Sequence, residues 1–137
     1  MSFLSSDLVY NPPLEPYLSI VYQDDDIIVL DKPSGLLSVP GRAPVLFDSV
    51  ASRVREEFPQ AQMINRLDKD TSGLVLVALN KNAHRIIAKQ FEARTTQKLY
   101  TAIVYGHVKE DEGVVDLPLA IDIEHKPCHR VDYNNGK

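Results

Sequence analysis

The residues best suited to chemistry form one stretch, Asn65 to Leu74, which reads Asn-Arg-Leu-Asp-Lys-Asp-Thr-Ser-Gly-Leu. Arg66 stands two residues before Asp68, and an ionised, positioned carboxylate can act as a covalent nucleophile or as a general base. Residues 71–73, Thr-Ser-Gly, supply two hydroxyls and a flexible glycine for a sharp entry into the apolar run from Leu74 to Leu79. Residue types alone also fit, and favour, an Asx turn with a surface ion pair ahead of a strand.

Three groups of residues carry metal-ligand atoms, but none has the pattern of a metal site. The groups are Asp68 with Asp70, the acidic run Asp24 to Asp26, and the group His125, Cys128 and His129. The first has basic neighbours, the second is typical of a solvated turn, and the third lacks a second ligand pair at zinc spacing. We therefore expect no metal ion, and we expect Cys128 to be an ordinary thiol.

The composition is that of one soluble globular domain, or of a piece of one. The chain has 137 residues, of which 44% are apolar and 25% charged. The single cysteine excludes an internal disulfide and fits a reducing compartment. There is no secretory signal pattern, and no apolar run approaches the roughly 20 residues that a membrane helix needs. We expect a cytoplasmic protein that does not enter a membrane.

The net charge of −4 is unevenly distributed along the chain. Residues 1–31 hold six acids and no Lys or Arg, residues 32–108 hold eleven bases against six acids, and residues 109–137 hold four bases against seven acids. A basic middle with acidic ends can line a groove for a polyanion such as RNA. The other interpretation is two helices with solvated basic faces.

Apolar periodicity predicts both helices and strands. Val50, Val54 and Phe58 form one stripe of a helix from about 49 to 58, which Asp48 or Ser49 can cap. Asn80 can cap a second helix from about 81 to 93. Strands are predicted at residues 18–22, 27–30, 74–79, 98–106, 114–116 and 119–121.

The two ends of the chain look different from its middle. Residues 1–16 contain three prolines and no periodicity, which predicts an extended or partly disordered N-terminal arm. Residues 125–137 form a polar tail ending in Asn-Asn-Gly-Lys, a hairpin-turn sequence without a second strand, which indicates a fragment. Six to eight strands and two helices in mixed order predict an α+β fold with a mixed, largely antiparallel sheet and flanking helices.

The stretch from Asn65 to Gly73 resembles the His-Arg-Leu-Asp-x-x-Thr-Ser-Gly signature of the RluA family of pseudouridine synthases. Residues 11–13, 22–25 and 32–42 resemble the short member of that family, which lacks the extra N-terminal RNA-binding domain. Lys98-Leu99-Tyr100 resembles the family's Lys-x-Tyr strand. The resemblance identifies residues 17–137 as the N-terminal part of a pseudouridine synthase catalytic domain.

The resemblance implies isomerisation of uridine to pseudouridine in RNA, by base flipping and without a cofactor. Asp68 would be the catalytic carboxylate, Arg66 would fill the gap left by the flipped base or hold phosphates, and Tyr100 would lie against the uracil ring. Further RNA-binding positions would be Asn65, Thr71 and Lys98, with Lys32, Arg42, Arg85 and Lys89 as candidates for a backbone groove. The implied partners are ribosomal large-subunit (23S) RNA and the transfer-RNA anticodon stem-loop.

Two departures from the family pattern limit the prediction. Position 65 is Asn where the family usually has His, although both side chains can donate and accept a hydrogen bond. The family continues past residue 137 with a motif whose Arg pairs with the catalytic Asp. We therefore expect a fragment with little or no activity. Two alternatives stay open: a non-catalytic RNA-binding fragment, and a glycosidic hydrolase, which would need a second carboxylate about 5 to 9.5 Å from the first.

Overall fold

The computed structural model describes residues 9–137, which divide into two compact units. The first unit ends at Lys98, and the second comprises Leu99–Lys137. Residues 1–8, half of the predicted N-terminal arm, lie outside the described residues. Residues 9–16 contain neither helix nor strand.

The first unit is a four-stranded antiparallel sheet with two helices. The strands are β1 (Ile20–Gln23), β2 (Ile27–Lys32), β3 (Gln62–Met63) and β4 (Gly73–Ala78), and the helices are α1 (Val50–Glu57) and α2 (Lys81–Glu92). The order in the sheet is β1-β2-β4-β3, so β2 and β4 are central. The predicted strands at 18–22, 27–30 and 74–79 and both predicted helices are confirmed within one or two residues, whereas β3 was not predicted.

Alternation along the two central strands builds the core. Ile28 and Leu30 of β2 and Val75 and Val77 of β4 are buried, and Val54 of α1 packs against them in the same cluster. Because side chains of a strand alternate between faces, these residues line one face of the sheet. The sheet thereby buries one face against α1 and the loops around it.

Both helices begin at the residues that the sequence indicates. Ser49 caps α1 in a reciprocal arrangement with Ser52, and the Asn80 side chain accepts the N–H of Ala83 at the start of α2. The longer helix has 12 residues, so no helix among residues 9–137 has the length and apolarity to cross a bilayer.

The second unit holds one antiparallel hairpin, β5 (Leu119–Ile121) with β6 (His129–Val131). The predicted strand at 119–121 is confirmed. Its partner at 129–131 lies inside the predicted polar tail and was not predicted. Asn134 and Asn135 do turn the chain, but their main-chain N–H groups donate to the Asp132 carboxylate rather than closing a further hairpin.

The predicted strands at 98–106 and 114–116 are not formed. Their apolar side chains are exposed instead, with Ile103 and Tyr105 accessible over essentially their whole surface, at 101% and 106%. A strand needs a neighbour for its main-chain N–H and C=O groups, and none of the residues from 9 to 137 supplies one. Alternation alone therefore predicts the tendency to form a strand, not the pairing.

The C-terminus of α2 offers a test of local backbone strain. Arg94 has a φ of 54°, and the N–H groups of Arg94 and Thr95 close a Schellman motif on Phe91 and Gln90. A side chain with a Cβ is disfavoured in this left-handed conformation. We expect Arg94→Gly to raise the free energy of unfolding by about 0.5–1 kcal/mol, glycine's larger entropy loss being smaller than the strain removed.

Arg85→Gly is the matched control for that experiment, since Arg85 lies inside α2 and is exposed. Glycine inside a helix should lower stability by about 1 kcal/mol. Chemical denaturation of both variants measures the two changes. Changes of the same sign would contradict the assignment of strain to residue 94.

An ion pair at the start of α1 should make stability depend on pH. The buried Arg53 donates to both carboxylate oxygens of Asp48, at 2.8 and 2.7 Å, and these hydrogen bonds lower the pKa of Asp48. The unfolded chain therefore takes up this proton more readily than the folded protein. The resulting stabilisation is fully present above the unfolded pKa of about 3.9 and is lost as the pH falls through the folded pKa.

We accordingly expect Asp48→Asn to be less stable than the wild type at pH 7, and the difference to shrink as the pH falls to 3. Denaturant unfolding at pH 7, 5 and 3 measures it. Glu57→Gln, which removes an exposed carboxylate from the same helix, should have a smaller effect at pH 7. A stability difference independent of pH would show that the ion pair is not the cause.

Candidate active site

The loop between β3 and β4 carries the signature residues. It leaves β3 after Met63 and enters β4 at Gly73, whose φ of 127° requires glycine. Inside the loop, the N–H of Thr71 donates to the Asp68 carbonyl at 3.1 Å and closes a turn. Asp68 therefore occupies the first position of a tight turn, shortly before the chain enters β4.

Ser38 fixes the main chain directly before Asp68. Its hydroxyl donates to the Leu67 carbonyl at 2.6 Å and accepts the Leu67 N–H at 3.0 Å. Ser38 is 4% exposed, so water competes little for these two bonds. One side chain thus satisfies both polar main-chain groups of the residue that precedes Asp68.

Lys32 fixes the main chain directly after Asp68. Its side chain is buried, with 1% of the residue exposed. Its ammonium donates to the carbonyls of Pro33, Leu36 and Lys69 at 2.9, 2.6 and 2.9 Å. The N–H of Gly35 donates to the same Lys69 carbonyl at 2.8 Å. The hypothesis that Lys32 reaches an RNA phosphate is therefore wrong, because its three donors are used inside the protein.

Electrostatics connect Lys32 with the carboxylates of the loop. Burial lowers the pKa of Lys32, and the charges of Asp70 and Asp68 offset part of that lowering. Within the described part of the chain, the ion pair of this loop joins Lys69 to Asp70 at 3.7 Å, and Asp68 forms none. Among the described residues, Arg66 thus does not pair with Asp68, although it stands only two residues before it.

The two side chains with proposed chemistry face solvent. Arg66 and Asp68 are exposed, whereas Leu67 between them is partly buried against the core. The loop therefore has a rigidly held main chain and a carboxylate and guanidinium that remain accessible to a substrate.

Asn65 anchors the start of the loop. Its side-chain oxygen accepts the N–H of Leu76 at 2.7 Å, next to the bond from the Ile64 N–H to the Leu76 carbonyl at 2.9 Å. The side chain thus extends the pairing of β3 with β4 beyond Met63. Direct contact of Asn65 with RNA stays a prediction, as does that of Thr71.

The remaining predicted contacts lie elsewhere. The Lys98 ammonium is 5.9 Å from the centre of the Phe91 ring, and Arg85 donates to Asn82 on α2. Tyr100 belongs to the second unit and is 60% exposed. Its packing against a uracil ring stays a prediction.

Two further observations concern metal ligands and cavities in the described residues. No group of three or more potential metal ligands occurs among residues 9–137, and the His125 ring instead contacts the Asp122 carboxylate at 3.0 Å. A cavity of about 530 Å³ is lined by Arg55, Gln62, Leu79 and Lys81, among others. It lies at the end of β4 away from Gly73, so it is not part of this site.

Sequence reasoning missed the supporting residues, and one signal could have identified the most important of them. Lys32 follows Ile28 and Leu30 at spacing two, so its side chain points to the buried face of β2. A charged residue in register with buried ones is rarely left unpaired. Ser34 and Ser38, whose hydroxyls bond the Asp70 and Leu67 carbonyls, gave no such signal.

Comparison with known proteins matches most of the chain. Residues 26–137 fit a family model described as RNA pseudouridylate synthase. The dual-specificity RNA pseudouridine synthases RluA of Escherichia coli K12 and Haemophilus influenzae are 52% and 51% identical over 128 residues. The RluA of Vibrio parahaemolyticus is 49% identical over 130 residues, 95% of this chain. The chain spans between 52% and 58% of the length of these curated relatives.

A solved structure shows the same fold. Human RNA Pseudouridylate Synthase Domain Containing 1 matches 92% of this chain and 49% of its own, with a TM-score of 0.70 at 27% identity. The predicted α+β fold class is confirmed.

The contact of Asn65 gives a testable expectation. Asn65→Leu leaves the Leu76 N–H without its acceptor, which should cost about 1–3 kcal/mol of unfolding free energy. Asn65→His keeps an acceptor nitrogen at this position and should recover most of that loss. Thermal and denaturant unfolding measure both variants. Equal destabilisation by the two substitutions would mean that the hydrogen bond to Leu76 does not matter.

Proposed function

Because the chain belongs to the RNA pseudouridylate synthase family, we propose that it carries the catalytic carboxylate of an enzyme that isomerises uridine to pseudouridine in RNA. One observation supports this most directly. The main chain on both sides of Asp68 is held by buried side chains, Ser38 before it and Lys32 after it, while the carboxylate itself is accessible. Such a rigidly held and accessible group suits a reacting position.

The reaction needs no external reagent. The glycosidic bond between N1 and C1′ breaks, the uracil ring turns, and a bond forms between C5 and C1′. The proton on C5 leaves and N1 gains one, so atoms balance. Asp68 acts either as nucleophile toward the sugar or ring or as the base in this sequence. The buried Lys32 ammonium donates to the Lys69 carbonyl directly after Asp68 and so holds the main chain that carries the reacting carboxylate.

Access to the uracil requires the base to leave the helical stack, which costs a few kcal/mol. We propose that the exposed Arg66 recovers part of that cost by occupying the vacated space, where its guanidinium can stack and offset phosphate charge. Tyr100 would contact the uracil ring, and Thr71 and Lys98 would contact the RNA. Arg42, Arg85 and Lys89 are exposed and would contribute to the backbone groove.

The printed names of the relatives direct the choice of substrate. They are dual-specificity RNA pseudouridine synthases, and we propose ribosomal large-subunit RNA and a transfer-RNA anticodon stem-loop for this protein as well. Recognition of a flexible loop by shape can serve both. A cytoplasmic location is part of the proposal, and the free, exposed Cys128 fits a reducing compartment.

The 137-residue chain itself is proposed to have little or no turnover. It spans only 52% to 58% of its curated relatives, and the site described here contains no arginine paired with Asp68 among residues 9–137. The second candidate function is RNA binding without chemistry. The excess of eleven bases over six acids in residues 32–108 favours it, since charge alone suffices for binding.

Tritium release from RNA labelled at uracil C5 separates these functions. We compare the chain with a longer version, in which the remaining part of the Escherichia coli relative follows Lys137. The longer version should release tritium, and Asp68→Asn should lower that release at least about 100-fold, as expected for loss of an acid–base or nucleophilic group.

Asp70→Asn is the matched control, because it removes a neighbouring exposed carboxylate from the same loop. It should change release by no more than a few fold. If neither length releases tritium while both bind RNA with steep salt dependence, the binding function is correct and the catalytic one is not.

A further inference from the structure

The described part of the N-terminal arm, residues 9–16, together with the adjoining Tyr17, is tied to the first unit, first through the hydroxyl of Tyr10. The Tyr10 hydroxyl donates to the Asp48 carbonyl at 2.8 Å and accepts the N–H of Leu37 at 2.9 Å. Burial raises the pKa of Tyr10, so the hydroxyl keeps its proton and its donor role at neutral pH. Tyr10 thus joins segments 27 and 38 residues away in the sequence.

A buried arginine holds the rest of the arm. Arg53 donates to the carbonyls of Tyr17 and Pro13, both at 2.9 Å, and its guanidinium stacks 4.6 Å from the centre of the Tyr17 ring. The bonds to Asp48 use two of its other donors. An arm without helix or strand is therefore fixed at three positions, which is unusual for a terminal segment.

The segment that Tyr10 holds is the one that supports the loop with Asp68. The Leu37 carbonyl accepts the N–H of Val50, and the Ser38 carbonyl accepts the N–H of Ala51, so this segment runs along the start of α1. Ser38 is the residue whose hydroxyl bonds both main-chain groups of Leu67. The contacts are continuous from Tyr10 through Leu37 and Ser38 to Leu67, the neighbour of Asp68.

A second set of contacts reinforces the path. The Ser34 hydroxyl and the Gly35 N–H donate to the carbonyls of Asp70 and Lys69, both at 2.8 Å. A Cβ at Gly35 would lie 3.7 Å from Pro13 of the arm, so the arm packs directly behind that turn. The arm therefore meets this segment at two positions, at Gly35 through Pro13 and at Leu37 through Tyr10.

We propose that the N-terminal arm is a positioning element of the catalytic loop, with Tyr10 as a positioning residue for Asp68. Tyr10 sets the place of Leu37 and Ser38, and Ser38 sets the place of the peptide that bears the carboxylate. The catalytic consequence rests on the proposed function of Asp68, whereas the coupling between arm and loop stands on the contacts alone.

Hydrogen exchange of the 137-residue chain, followed by NMR, tests the coupling. In Tyr10→Phe, the Leu67 amide should lose about fivefold to tenfold of its protection, the scale of one weakened hydrogen bond, beyond any change in the β2 and β4 amides. Tyr17→Phe is the matched control, since it removes a hydroxyl that bonds Glu56 on the surface and keeps the ring over Arg53. It should leave Leu67 unaffected.

Ser38→Ala supplies a second route to the same result. It removes the last link directly, so the Leu67 amide should lose protection whether or not Tyr10→Phe folds well. The double variant should lose less protection at the Leu67 amide than the sum of the losses in the two single variants, because both substitutions act on the same series of contacts. Full additivity, or a loss at Leu67 no larger than in β2 and β4, would overturn the proposal.

Turnover by the longer version separates this proposal from the proposed function. Tyr10→Phe should lower kcat while leaving KM for RNA unchanged, as expected for misplacement of a reacting group. Unchanged kcat in Tyr10→Phe, with Asp68→Asn inactive, overturns the positioning role. If Asp68→Asn stays active, the proposed function fails, and a selective loss of protection at Leu67 still supports the coupling.

Discussion

The first unit depends on one buried ammonium group. Lys32 ends β2, lies beneath the loop with Asp68, and donates to three carbonyls from two separate segments. Burying a cation is costly unless its donors are all satisfied, and here main-chain oxygens rather than a carboxylate satisfy them. Carbonyl dipoles solvate the ammonium without cancelling its charge, and the negative charges of Asp70 and Asp68 offset part of the lowering of its pKa by burial.

In this loop the main chain is held rigidly, whereas the side chain of Asp68 is accessible to solvent. Its carbonyls at Leu67, Lys69 and Asp70 all accept hydrogen bonds from the segment that follows β2. The carboxylate of Asp68 takes no part in this network and remains exposed. Positioning through the backbone leaves every oxygen of the reacting group available, which a network built on the carboxylate itself would not.

Sequence reasoning predicted the elements whose determinants are local. The alternation of Ile28 and Leu30 and the caps at Ser49 and Asn80 need only neighbouring residues, and all are found in the structure. The position of Asp68 came from resemblance, since residue types alone favoured a simple turn. Ser38 could not be predicted as its support, because 29 residues separate it from Leu67 and only the fold brings them together. The prediction of a strand at 98–106 is wrong for the opposite reason. The local alternation of apolar residues is present, but the described residues contain no strand that pairs with it.

The exposed stretch in the second unit has a consequence for handling by the cell. Leu99, Ile103, Tyr105, Val114 and Val115 present apolar surface beside unpaired main-chain groups. Extended apolar segments with free main-chain groups are what holdase chaperones capture and what neighbouring chains add to as extra strands. This stretch is therefore where a chaperone or a neighbouring chain would bind, whereas the buried core of the first unit offers no such surface.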